Sequence, residues 1–386
     1  MIAFDLTDEQ REMRELAHRF AEQEIRPVAA EYDEREEVPW EVIQRAAQAG
    51  FLSYYISEEY GGGGITDALT YCLVREELAW GCVGISGALS ATNLGAMPII
   101  LAGNEEQKAK YLARFANPDK PTLGAFALTE PEAGSNPADL KTQARREGDE
   151  YVINGNKTFI SNGSIADVYV IFATVDRSLG RNGITAFIVE KGWPGLIPGK
   201  KEKKMGIRAS DTTTLAFENL RVPVENRLGE EGEGFKIAMQ TFEITRTYVA
   251  IGAVGLARAA YDYALQYARE RVQFGKPIIQ HQGVAFMIAD MATQIDAARL
   301  LCWRAAYMAD QGIYATQAAS MAKAFAADMA MKVTTDAVQV LGGYGYIRDY
   351  PVEKWMRDAK IMQIYEGTAQ IQRLIIARHL AKNIAD

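Results

Sequence analysis

The hydrophobic period of this chain changes twice. Residues 1–122 carry apolar side chains at helical spacing, residues 123–229 carry short β-like runs, and residues 230–386 return to the helical period. Each change coincides with a break: Asn117-Pro118-Asp119-Lys120-Pro121 at the first, Gly229-Glu230-Glu231-Gly232-Glu233-Gly234 at the second. The expected fold is therefore α+β and multi-domain. It has a helical N-terminal domain (1–122), a central β-barrel or sandwich domain (123–229) and a C-terminal four-helix bundle (230–386). A length of 386 residues agrees, since one ordinary core does not grow that large.

Within these blocks, Thr7-Asp8-Glu9-Gln10 and Asn104-Glu105-Glu106-Gln107 each open a helix, the first as a capping box. A long helix passes through Leu73, Val74 and Leu78. The small, apolar segment Gly84–Gly103 is either a tightly packed internal helix or the wall of an apolar cavity. In the middle block, Asn154-Gly155 between Tyr151-Val152-Ile153 and Lys157-Thr158-Phe159-Ile160 predicts a β-hairpin with a type I′ turn. Further strands are expected at 168–173, 184–189 and 213–217. Four long helices are expected at about 235–270, 280–312, 315–342 and 368–382.

The charge of −8 argues against nucleic acid or an anionic membrane as the main partner. The three cysteines, Cys72, Cys82 and Cys302, form no metal-like pair; their odd number suits a reducing, cytoplasmic location. His18, His281 and His379 stand too far apart to read as metal ligands. No signal peptide and no apolar run of membrane-spanning length is expected.

The stretch with the sharpest chemical meaning is Gln363–Arg373. It presents one carboxylate, Glu366, after an apolar approach (Ile361, Met362, Ile364, Tyr365) and before Gly367, with Thr368 as helix N-cap. Burial there raises a carboxyl pKa, which suits a general base; a plain capping turn with an exposed Glu is the alternative. Other segments are modest signals. Leu128–Ser135 is a polar turn that either holds a phosphate or flavin edge or simply connects. Phe159-Ile160-Ser161 sets an aromatic beside a hydroxyl, for stacking or for the core. Arg269-Glu270-Arg271 is either exposed charge or a pyrophosphate contact, and Gly342-Gly343-Tyr344-Gly345 either a C-cap or a phosphate loop.

Together, in this order, these segments and Lys204-Met205-Gly206-Ile207-Arg208 resemble the acyl-CoA dehydrogenase family over essentially the whole chain, and most closely its short- and medium-chain, butyryl-CoA-like branch. The resemblance implies that FAD lies between the β domain and the bundle, completed by a neighbouring subunit of a homotetramer. Phe126, Leu128, Thr129, Gly134 and Ser135 match the flavin loop, with Ser135 also on the CoA side. Phe159, Ile160 and Ser161 match the segment packed on the isoalloxazine, and Thr368 and Gln370 further FAD contacts. Arg271, Gln273, Phe274, His281, Gln282, Gln339, Val340, Leu341, Gly342 and Gly343 match contacts to the FAD of the adjacent subunit. Phe242, Glu243, Thr245, Arg246, Tyr365 and Gly367 match the substrate side, and Glu366 the catalytic base. Ser90, Ala91, Leu94 and Tyr365 are expected along the acyl pocket.

Three positions bear on these roles. Many relatives have Trp where this chain has Phe159, and Gly where it has Glu132. One branch carries its base at the position of Thr245; a Thr there favours Glu366, while Glu243 stands close by as a rival. The activity implied is FAD-dependent dehydrogenation of a saturated acyl-CoA to the trans-2-enoyl-CoA, with electrons passed to an electron-transferring flavoprotein. The thioester carbonyl would be held by the Glu366 N–H and a flavin ribityl hydroxyl. An acyl-CoA oxidase using O₂ and a non-catalytic acyl-CoA-binding protein are the alternatives. A glutaryl-CoA-type decarboxylating activity ranks low, because Ser90–Met97 offers no Arg to the acyl pocket.

Overall fold

The computed structural model describes residues 5–313 and 315–382. The first helix opens on the expected capping box: Thr7 Oγ1 accepts from the Gln10 N–H (3.2 Å) and Gln10 Oε1 from the Thr7 N–H (3.1 Å). Helix α1 (Asp8–Phe20) buries Ala17 and Phe20, then passes through a π turn and a 3-10 turn at Pro27 into α2 (Ala29–Arg35). α3 (Trp40–Gln48) follows, then α4 (Ala68–Ala102) and α5 (Glu105–Phe115), the last with its own capping box.

α4 is the axis of the molecule. Its small residues are explained by proximity: a Cβ on Gly95 would meet the Ala125 nitrogen at 2.7 Å, and one on Gly84 would meet Ile207 Cα at 3.2 Å. A kink at Cys82 (φ −166°, ψ 118°) lets the helix serve two neighbours. The expectation that no apolar run reaches membrane-spanning length is corrected here, because α4 is long and apolar enough by length and composition. Most of that stretch is buried within the protein, so it reads as a core helix.

The middle block is one eight-stranded sheet: β1 (Gly124–Ala127), β2 (Gln143–Glu147), β3 (Glu150–Ser161), β4 (Val168–Thr174), β5 (Ile184–Glu190), β6 (Leu196–Lys201), β7 (Thr212–Pro223) and β8 (Arg227–Leu228). The order is β6-β7-β3-β2-β4-β5-β8, with β1 parallel beside β4. Leu196 of β6 and Phe217 of β7 share an interior with Tyr169, Ile171 and Phe187 of β4 and β5, so the sheet wraps around a core of its own. The alternate residues Val168, Val170 and Phe172 face a second core shared with α4, α5 and α6 (Gly234–Glu270).

The predicted turn at Asn154-Gly155 is not there. β3 runs unbroken from Glu150 to Ser161, with a bulge at Gly155 (φ 149°). A Cβ on Gly155 would meet Thr142 Oγ1 at 2.5 Å, so the glycine serves a close approach at a bulge. The true hairpin links β2 to β3 through Gly148-Asp149, with Gly148 at φ 64°.

After α6 come a small ribbon, β9 (Val272–Gln273) and β10 (Lys276–Pro277), then α7 (Gln282–Asp310), α8 (Thr316–Leu341), the short α9 (Val352–Ala359) and α10 (Ala369–Lys382). The four long helices lie close to the expected bounds. On α7 the residues Ile288, Met291, Ile295 and Ala298 are buried. The N- and C-terminal helices share one hydrophobic core, in which Phe20 and Val74 sit with Ile251, Cys302 and Val333. Cys72, Cys82 and Cys302 are all buried and unpaired. A charged seam joins the same helices. Glu76 accepts from Arg258 (2.8 Å) and Arg299 (2.9 Å), and Glu77 accepts from Arg258 (2.9 Å) beside a His18 nitrogen (2.8 Å).

Candidate active site

Beyond α9 the chain makes a 3-10 turn, Lys360–Gln363, and then a left-handed step at Glu366 (φ 49°) and Gly367 (φ 90°). Glu rarely adopts that conformation, and here its surroundings hold it. Lys323 Nζ of α8 donates to the Gly367 carbonyl (2.6 Å). Gln372 Nε2 of α10 donates to the carbonyls of Gly367 (3.0 Å) and Glu366 (3.2 Å). Thr368 Oγ1 accepts from the Ile371 N–H (3.2 Å) and caps α10, as expected. Among the described residues the Glu366 N–H has no protein acceptor.

The Glu366 carboxylate accepts from Thr245 Oγ1 of α6 (2.8 Å) and keeps a partial opening to the outside. Burial pushes its pKa above the ordinary carboxyl value; the Thr245 hydroxyl and then the charges of Arg246, Lys323 and Arg75 pull the other way. Lys323 is itself pushed down to about 8, by burial first, with the Glu366 charge opposing. The apolar approach is thus half of the account. Met362 is buried and Tyr365 partly so, but Ile364 is exposed, and cations temper the desolvation. Glu243, the rival carboxylate, is engaged by the Thr316 hydroxyl at the start of α8.

A second group of predicted residues meets where β1 and β3 leave the sheet. The Thr158 N–H donates to the Thr129 carbonyl (2.9 Å) and ties the Leu128–Ser135 loop to the Phe159 segment. Phe159 is 68% exposed and left-handed (φ 58°), at an irregularity in the β3–β7 pairing. A large ring held in the open on strained backbone contributes little to a core and suits a stacking platform. Phe126, Leu128 and Ile160, by contrast, bury their side chains in the two β-domain cores, which leaves their backbone for a ligand. Gly134 has open space where a Cβ would stand, and Ser135 is exposed. Glu132 is exposed and paired with Lys141.

Sequence reasoning missed what holds this loop. Lys157 is fully buried, and its Nζ donates to Glu130 Oε1 (2.8 Å) and the Leu128 carbonyl (3.0 Å). The Glu130 carboxylate also accepts from the N–H groups of Lys141 (2.5 Å) and Thr142 (3.0 Å). Little in the sequence marked Lys157, since β3 also carries Glu150, Asn154, Asn156, Thr158 and Ser161. Thr245 was missed as a partner of Glu366 because nothing in sequence brings α6 to residue 366.

A third group lines a groove of about 790 Å³ between the β9–β10 ribbon and the end of α8. It gathers Arg271, Gln273, Phe274 and His281 with Val340–Gly343. The ribbon turns on Phe274 (φ 51°) and Gly275 (φ 77°), leaving Phe274 93% exposed. A His281 nitrogen lies 3.1 Å from the Gln273 carbonyl, and the Arg271 guanidinium lies over the Tyr344 ring. A Cβ at Gly342 or Gly343 would meet nothing, so both leave room for a ligand. Gln282 opens α7 beside the groove; Gln339 and Gln370 are exposed. A ring platform, a glycine cradle and an arginine together fit a flavin dinucleotide.

Comparison with known proteins agrees. Models of the N-terminal, middle and C-terminal domains of acyl-CoA dehydrogenase match residues 7–119, 125–220 and 232–381. The chain belongs to the acyl-CoA dehydrogenase family. It is an FAD-dependent oxidoreductase of that family. A short-chain-specific acyl-CoA dehydrogenase of Clostridium acetobutylicum is 50% identical, across 97% of this chain and 98% of its own. The solved butyryl-CoA dehydrogenase of Megasphaera elsdenii superposes with a TM-score of 0.95 at 46% identity, covering 98% of this chain and 100% of its own. A chain from work on the electron transferring flavoprotein of Acidaminococcus fermentans gives 0.96 at 48% identity, with 98% and 99% covered.

Proposed function

We propose that this acyl-CoA dehydrogenase converts a saturated acyl-CoA to the trans-2-enoyl-CoA, with Glu366 as the base that takes the α-proton. The observation that carries this is the Glu366 turn. A carboxylate with a raised pKa and a backbone N–H without acceptor among the described residues sit on one residue whose left-handed backbone is held by Lys323 and Gln372. A thioester carbonyl accepting from that N–H gains as enolate character develops, which acidifies the α-carbon beside the base. The Thr245 hydroxyl keeps Glu366 ionised enough to accept the proton. Ser90, Leu94 and Tyr365, all partly exposed, fit as walls of the acyl channel.

Bound FAD supplies the acceptor for the β-hydrogen, which leaves as hydride. Phe159 with the Leu128–Ser135 loop would hold the ring, and the groove at Arg271 and Gly342 the dinucleotide of a neighbouring subunit. Exposed Phe274, Leu374 and Leu380 support assembly into a homotetramer. The likeness to the Acidaminococcus chain supports an electron-transferring flavoprotein as acceptor.

The test is an anaerobic absorbance titration with acyl-CoAs of increasing length. The wild-type flavin is expected to bleach. Glu366→Gln is expected to stay yellow and bind acyl-CoA, yet lose nearly all bleaching; near-wild-type bleaching by that variant refutes the assignment. Slow reoxidation by O₂ and fast reoxidation by electron-transferring flavoprotein are expected of the reduced enzyme; the reverse identifies an oxidase.

A further inference from the structure

Three cations act on the Glu366 carboxylate: Arg246, Lys323 and Arg75. An arginine keeps its charge at every working pH, so of the three only Lys323 can lose a proton. Lys323 lies on α8 and is fully buried. Its Nζ donates to the Gly367 carbonyl (2.6 Å), and among the described residues it forms no ion pair. Holding that carbonyl does not require a charge, since Gln372 Nε2 donates to the same oxygen (3.0 Å) as a neutral amide. Burial pushes Lys323 down to about 8; the Glu366 charge opposes that, Arg246 of α6 adds to it, and Asp328 of α8 opposes it. Asp328 is the carboxylate nearer to solvent. Its side chain is 38% exposed and accepts from Gln363 Nε2 and Arg373 Nη2, both at 2.6 Å. Two further polar atoms are buried without a partner among the described residues: Gln372 Oε1 and, one turn before Lys323 on the same face of α8, Ser320 Oγ. Either can exchange a hydrogen bond with an ammonium or with water. With Glu366 ionised and Lys323 protonated, the pair carries no net charge. Once Glu366 holds a proton, an ammonium at Lys323 becomes a buried cation without its counter-charge, which is costly.

We propose that Lys323 is a positioning residue that balances the charge of the base: as Glu366 takes the α-proton of the thioester, Lys323 releases a proton of its own to solvent on the Asp328 side, and the pair stays neutral. This rests on the dehydrogenase reading above. In the exchange the α-carbon C–H bond breaks and a Glu366 O–H bond forms. One Nζ–H bond of Lys323 then breaks, its electron pair stays on the nitrogen, and the proton passes to water. When Glu366 later gives up its proton, Lys323 takes one back.

The flavin-loaded enzyme is mixed anaerobically with butyryl-, hexanoyl- and octanoyl-CoA in turn, in weak buffer with a pH-indicator dye. For the wild type a proton is expected in solution together with flavin bleaching at about pH 7, and its loss is expected above about pH 9, where Lys323 is neutral before the reaction starts. Lys323→Arg, whose cation releases no proton, and Lys323→Met, which has none to release, are expected to lose the signal at about pH 7. Release unchanged in either variant, or absent from the wild type at that pH, overturns this inference and leaves the dehydrogenase standing. Failure of all three thioesters to bleach the wild type overturns the two together.

Thermal unfolding of the flavin-loaded enzyme without substrate reads the coupling apart from turnover. The folded-state pKa of Lys323 lies below the ordinary lysine value, so the unfolded chain binds the extra proton as pH rises past about 8, and the wild type should gain in melting temperature on Lys323→Met there. In a Glu366→Gln background that gain should begin at lower pH, because the charge that supports the ammonium is gone. A gain that begins at the same pH in both backgrounds overturns the inference as well.

Discussion

Thr245→Val removes one hydroxyl and keeps the side-chain shape at a position that is buried. The hydroxyl donates to Glu366 Oε2 at 2.8 Å, a sound geometry for a bond to a charged acceptor. Such a bond is worth about 1.5–3 kcal/mol, and one pH unit corresponds to about 1.4 kcal/mol. The bond favours the ionised base, so its loss lets burial push the Glu366 pKa still higher. The acid limb of the pH–rate profile is expected to move up by about one to two pH units. At high pH, where the base is ionised in both proteins, the two rates should converge. The assay is stopped-flow flavin reduction under anaerobic, saturating acyl-CoA across a pH series. An acid limb that stays in place, or moves down, refutes the argument that Thr245 holds the base in its working state.

Other consequences can be checked on the protein without substrate. Glu366→Gln should raise the melting temperature. A folded-state pKa above the unfolded one gives stability that is complete in acid and lost as pH rises through the folded value, so the gap over wild type should widen with pH. Lys157→Met leaves the Glu130 carboxylate buried without its cation; a loss of about 3–5 kcal/mol in denaturant unfolding and weaker FAD retention on gel filtration are expected, with Glu130→Gln recovering part. Gly95→Ala sets a methyl 2.7 Å from the Ala125 nitrogen and should cost about 1–3 kcal/mol by the same unfolding measurement, because backbone has to give way.

Elements whose information is local were legible in the sequence. The capping box at Thr7, the helix start at Asn104, the four long helices of the last block and the N-cap at Thr368 depend on residues a few positions apart, and they appear as expected; Asn104 adds a capping box of its own. Asn154-Gly155 shows the limit of that logic. The dipeptide favours a turn by itself, but the pairing of β3 with both β2 and β7 outweighs it, and the glycine serves the approach of Thr142. The site divides in the same way. Glu366 stands out by its own neighbours in sequence, whereas those of Phe159 left stacking and core both open. Thr245, Lys323 and Lys157 act across the fold, through separations that no periodic pattern encodes.

The shared core of the two helical blocks has a bearing on how the protein comes apart. Phe20 and Val74 from the front of the chain pack with Ile251, Cys302 and Val333 from the back, while the sheet keeps an interior of its own. Cooperative units follow buried surface rather than chain order. Amide hydrogens of α1, α4, α6 and α8 should therefore exchange as one foldon, and the sheet as another. A chain cut at the α–β boundary would strand half of that core. The helical front and back, written more than a hundred residues apart, have to meet before either is stable, and the middle of the chain waits as a long loop while they do.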